Sequence, residues 1–150
     1  MLSPLSALAN EETDSFKQPN FDESTMLAKA AIAEQLRVHG SPGVLHKDLQ
    51  DLSGNEDVAV IVHLSEKPVA LEQGITELQG RSFNNSHRAN AKAKVHAQQA
   101  DVVRKMRGKN VSFSQGYTFD TVLNGFAATV KADDLDKLVE IPGVTLVEPD

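Results

Sequence analysis

Along residues 58–150 the hydrophobic positions switch between a period of two and a period between three and four, and the switches mark out the elements. Val58-Ala59-Val60-Ile61-Val62-His63-Leu64 is a β-branched run bounded by Gly54-Asn55-Glu56-Asp57 and by Pro68. It predicts a strand that is apolar on both faces and therefore central in its sheet. After a polar connection, residues 85–108 place Ala91, Val95, Val102 and Met106 on one helical stripe, with Gly108 as the stop. Residues 111–123 then set Phe113, Tyr117 and Phe119 against polar neighbours, which predicts a second strand. Asn124-Gly125 is the dipeptide of a tight hairpin turn leading into a third strand at Phe126–Val130, with a bulge at Gly125 inside one long strand as the other reading. Residues 133–139 predict a short helix with acidic residues in its first turn, ended by Pro142-Gly143, and Val144–Val147 a last strand.

The order β-α-β-β-α-β places the chain in the α+β class. It predicts a ferredoxin-like fold: a four-stranded antiparallel sheet with two helices on one face. Within the third strand Phe126, Ala128 and Val130 share one parity and suit a core, whereas Gly125, Ala127 and Thr129 share the other and leave that side almost flat. A flat strand face uncovered by its own helices suits close approach by another protein. The competing cover is an amphipathic helix expected at 24–38, capped by Ser24 or Thr25 and stopped by Gly40-Ser41-Pro42-Gly43. These readings divide the chain into an N-terminal extension, 1–57, comprising a signal-like remnant, a linker and that helix, and a folded domain, 58–150. The small-residue run at 2–9 resembles the end of a signal peptide without its basic and long apolar regions.

With 150 residues, 40% hydrophobic and 24% charged, the composition suits one globular domain and a tail. A net charge of -6 argues against nucleic acid as partner, because phosphate neutralisation needs a basic footprint. No run approaches the ~20 apolar residues of a membrane-crossing helix, so no membrane partner is expected. With no cysteine, thiolate metal sites and disulfides are excluded. The five histidines (His39, His46, His63, His87, His96) lack the spacing that puts two on one helix face, so neither metal nor cofactor is expected. There is no nucleophile elbow, no Gly-rich phosphate cradle and no catalytic residue to name. The carboxylate pairs Asp133/Asp134 and Glu11/Glu12 are read as helix capping and as a solvated tail. Two glycosylation sequons, at Asn84 and Asn110, carry little weight.

One resemblance is specific. The run VAVIVHL, the polar Lys/Gln/Ala-rich helix, then YTFDTVLNGFAATV and LDKLVEIPGVTLVEPD are together similar to the propeptide domain of subtilisin-like serine proteases, over residues 58–150. The resemblance implies a non-catalytic folding assistant and temporary inhibitor of a subtilisin-like catalytic domain, in cis or in trans. Such a domain lays its open sheet face on two parallel enzyme helices and sends a C-terminal tail through the active-site cleft. It further implies that Glu148 and Asp150 accept hydrogen bonds at the N-termini of those helices, where backbone N–H groups are unpaired. Gly125, Ala127, Thr129, Glu148 and Asp150 are thus the expected partner-binding residues, in a secreted or periplasmic protein. The family's propeptides continue for several residues to an autocleavage site, whereas this chain stops at Asp150. A free-standing protease inhibitor and a small-molecule-binding ferredoxin-like regulatory module are the alternatives. The second would need a pocket with convergent polar groups.

Overall fold

The computed structural model describes residues 43–150. The signal-like run, the Glu11/Glu12 pair and the helix expected at 24–38 lie outside the described residues. The described chain forms β1 (Val44–Leu45), β2 (Asp57–Leu64), α1 (Val69–Leu78), α2 (Asn85–Gly108), β3 (Phe113–Phe119), β4 (Gly125–Lys131), α3 (Leu135–Val139) and β5 (Val144–Pro149). The strands make one sheet in the order β1-β5-β2-β4-β3, in which only the β1–β5 pairing is parallel.

The α+β class holds, but the four-stranded antiparallel ferredoxin-like sheet gives way to a five-stranded mixed one with three α-helices. The added strand, β1, docks on the outer edge of β5, with Val44 opposite Leu146 and Leu45 opposite Val147. The His46 N–H then donates to the Val147 carbonyl at 2.8 Å, and a 3-10 turn at Lys47–Leu49 drops Leu49 into the core at 2% exposure. A two-residue strand carries too short a pattern to be read from sequence. The added helix, α1, occupies what was expected to be a polar connection. Gly74 in its middle costs about 1 kcal/mol of helix propensity relative to alanine, and no side chain caps its start. Its first N–H groups are satisfied from far along the chain instead, Val69 by the Asp120 carbonyl at 2.9 Å and Ala70 by the Thr121 carbonyl at 2.8 Å.

Helix α2 runs over the expected residues, and its stripe of Ala91, Val95, Val102 and Met106 is buried. Asn84 caps it: its side-chain oxygen accepts from the His87 N–H at 3.0 Å, while the His87 ring nitrogen Nδ1 accepts from the Asn84 N–H at 3.2 Å. Gly108 is the last helical residue rather than the breaker. The reversal falls on Asn110, at φ 56°, in the left-handed region that asparagine tolerates. At the end of α3 the turn does require glycine, since Gly143 sits at φ 97°.

The core lies between one face of the sheet and the helices α2 and α3. Val60, Val62 and Leu64 of β2, Phe126, Ala128 and Val130 of β4, and Val147 of β5 meet Val102, Val103 and Met106 of α2 and Leu135 and Leu138 of α3. β2 is central, flanked by β4 and β5, as expected. It is not buried on both faces, however: Ala59 is exposed and Ile61 and His63 are only half-buried, because the helices cover one side.

The Asn124-Gly125 turn is also corrected. The β3–β4 connection is a five-residue loop, 120–124, and Gly125 already belongs to β4, opposite His63. Asn124 is fully buried and bridges three segments. Its side-chain NH₂ donates to the Glu66 carbonyl and to Gln98 Oε1, both at 2.9 Å, and its oxygen accepts from Gln99 Nε2 at 3.2 Å. Gln99, itself buried on the α2 stripe, also reaches the Phe119 carbonyl at 2.7 Å. Within the loop, desolvation alone would raise the Asp120 carboxyl, yet hydrogen bonds from Thr121, His96 and Lys92 together with the Lys92 charge hold it below the ordinary aspartate value. Asp133 and Asp134 do not cap their own helix with side-chain hydrogen bonds. Asp133 accepts the Gly54 N–H at 2.6 Å, and Asp134 accepts Lys137 Nζ at 2.6 Å and the Ser112 N–H at 2.8 Å, tying α3 to distant backbone.

Candidate docking face

Residues directly opposite in an antiparallel pair share a face, so the register assigns the side of the sheet turned away from α2 and α3. On β2 it carries Asp57, Ala59, Ile61 and His63, and on β4 Lys131, Thr129, Ala127 and Gly125 opposite them in that order. On β5 it carries Leu146 and Glu148, opposite His63 and Ile61. At one end Lys131 Nζ pairs with Asp57 at 2.8 Å, and at the other His63 Nε2 meets Glu148 Oε1 at 2.6 Å. Between these two polar pairs lie Ala59, Ile61, Ala127 and Thr129, a plateau of small and aliphatic side chains.

Three local devices keep the plateau low. The first is Gly125, where an added Cβ would run into the carbonyl oxygen of Val62. That glycine is therefore required by its own neighbouring strand, whatever lies outside. The second is Ala127, only 9% exposed despite its outward parity, because its neighbours stand around it. The third is in β3, where Gln115 faces Ala128 and Thr118 faces Phe126, so that Gly116 and Tyr117 together oppose the single residue Ala127. Two residues against one is a β-bulge. A Cβ on Gly116 would lie 3.3 Å from the Ala127 Cβ, so glycine at this point lets the edge strand close over Ala127. Tyr117 in the bulge is 85% exposed.

All five residues named from the sequence fall on or beside this side of the sheet. Thr129 and Glu148 are half-buried, Gly125 and Ala127 are buried flush with it, and Asp150 is exposed just past β5, its N–H donating to the Ala59 carbonyl at 3.1 Å. Sequence reasoning missed Ala59, Ile61 and His63, because β2 was expected to be covered on both sides. No local pattern in β2 marked this side, because which face the helices cover is set by tertiary packing.

Among the described residues no group of three or more His, Cys, Asp or Glu side chains is arranged to hold a metal ion. Of the cavities, one is a shallow groove by Ala97, Ala100, Asp101 and Arg104 on α2, and another lies at the loop 118–123. No described helix is long and apolar enough to cross a membrane.

The family model for peptidase inhibitor I9 matches residues 59–150. The chain belongs to the peptidase inhibitor I9 family. No curated protein matches it. The I9 match takes in nearly all of β2 and runs through β5, so it contains the four antiparallel strands and the three helices, while β1 lies before it. The propeptide resemblance read from the motifs is thereby established at the level of the I9 family. An I9 domain is an inhibitor rather than a catalyst, and the class of molecule it engages is a peptidase.

Proposed function

We propose that this I9 domain is the propeptide of a secreted or periplasmic subtilisin-like serine protease, which it helps to fold and then inhibits until it is removed. The observation that carries the reading is the low plateau of Ala59, Ile61, Ala127 and Thr129 between two polar pairs, in a chain matched to peptidase inhibitor I9. A surface of that shape lets two helices approach closely, and acidic groups at its margin, Glu148 and Asp150, complement the unpaired N–H groups at helix N-termini. Binding two helices at their native spacing would lower the loop-closure cost of a catalytic domain rich in non-local pairing. The same binding energy then acts as inhibition.

The test uses the full chain and its Ala59→Arg variant against subtilisin-like catalytic domains. Ala59 is exposed in the middle of the plateau, so an arginine there leaves the core untouched but stands where a helix must lie. It is a cleaner probe than Ala127→Arg, which would have to displace the bulge around Gly116. The parent is expected to inhibit. The variant, with an unchanged urea midpoint, is expected to bind at least about 30-fold more weakly, the effect of losing a central contact worth about 2 kcal/mol. Equal inhibition by both proteins would remove the plateau from the interface.

A further inference from the structure

The His63–Glu148 contact is a polar pair at the end of the plateau away from the Lys131–Asp57 pair. We propose that His63 is a positioning residue for docking, which holds the Glu148 carboxylate ready for a partner's N–H donors. The assignment rests on the docking reading given above. His63 lies opposite Leu146 on β5 and Glu148 lies opposite Ile61, so the two are diagonal neighbours across the β2–β5 pair, a separation that long side chains span. On its other flank His63 faces Gly125, which has no side chain, so the imidazole is free to lie toward β5. Nε2 and Oε1 are 2.6 Å apart, with side-chain exposures of 17% and 35% for His63 and Glu148.

A carboxylate accepts at both oxygens, and no other described residue hydrogen-bonds to the Glu148 side chain. One oxygen is held, and the other has no hydrogen-bond partner among the described residues. A glutamate free to rotate would have to be ordered when the partner arrives, at a cost that weakens binding. Fixing it beforehand moves that cost from association to folding and improves affinity by about three- to tenfold.

The experiment is a double-mutant cycle on the full chain, with inhibition of a subtilisin-like catalytic domain as readout. The variants are His63→Ala, Glu148→Ala, the two combined, and His63→Gln, which retains an N–H donor. His63→Ala is expected to weaken inhibition about three- to tenfold when Glu148 is present and less than about twofold when it is already alanine, with His63→Gln recovering most of the loss. Three-bond NMR couplings of Glu148 supply a signature that a purely structural role would not move: a single rotamer in the parent and averaged rotamers in His63→Ala. Equal losses in the two backgrounds, or averaged couplings in the parent, overturn the assignment of His63 alone. A parent chain that inhibits none of the subtilisin-like domains overturns the docking reading and this assignment together.

Discussion

Replacing Asn124 by alanine tests whether the NGF segment is a turn or an internal brace. Three hydrogen bonds disappear with the side-chain amide: to the Glu66 carbonyl, to Gln98 Oε1 and from Gln99 Nε2. Two of the former partners remain satisfied. Gln98 Oε1 keeps the Glu66 N–H at 2.7 Å, and Gln99 Nε2 keeps the Phe119 carbonyl at 2.7 Å. Those two losses cost about 1 kcal/mol each, whereas the Glu66 carbonyl, left without its donor, adds a desolvation penalty of about 1 to 3. The sum is about 3 to 5 kcal/mol, out of a total stability of about 5 to 15 for a domain of this kind. At about 4 to 8 °C per kcal/mol, Tm should fall by at least about 12 °C. Asn124→Asp should do similar damage near neutral pH, because it removes both donated hydrogen bonds and sets a carboxylate against two acceptors. Urea unfolding followed by circular dichroism measures both variants. A loss below about 1 kcal/mol for Asn124→Ala would refute the brace and restore the turn.

Phe126, at 0% exposure beneath α2 and α3, should cost about 3 to 5 kcal/mol when cut to alanine, and a parental urea midpoint would reverse the two faces of β4. Asp134 governs part of the acid limb. The hydrogen bond from Lys137, then that from the Ser112 N–H, hold its carboxyl below the ordinary aspartate value against the opposing effect of desolvation. A lowered native value means that its contribution is present above the unfolded value of about 3.9 and is lost as pH falls through the native one. Between about pH 5 and 2 the stability of the parent should therefore drop more steeply than that of Asp134→Asn. A gap between the two proteins that stays constant over that interval would contradict this role for Asp134.

What could be read from sequence was whatever has a period. The α2 stripe and the alternation of Phe126, Ala128 and Val130 with Gly125, Ala127 and Thr129 repeat over enough residues to declare a buried side, and both are placed as expected. What escaped depends on partners distant in sequence. Helix α1 has its first N–H groups satisfied by Asp120 and Thr121 carbonyls some fifty residues on, which no local propensity registers. Asn124-Gly125 carries the composition of a hairpin turn but obeys two tertiary demands, a buried amide bridge and the close passage of the Val62 carbonyl. The plateau was half legible for the same reason. Its β4 side follows from parity, while its β2 side needed to be told which face the helices cover.

The place of β5 in the sheet bears on the timing of synthesis. β5 lies between β1 and β2, so those two strands, both made early, are neighbours only through the last strand of the sheet. A ribosome delivers β1, β2, β3 and β4 before Val144 exists, and the slot between β1 and β2 stays empty meanwhile. From Lys131 to Val144 the wait is on the order of a second or a few at about 5 to 20 residues per second. During it the buried side of β2 has one of its two strand neighbours, and Leu49 and Val147 have not yet met in the core. The sheet therefore closes last at the very segment that carries Glu148, and the acidic margin of the plateau takes its place only once the whole domain has been made.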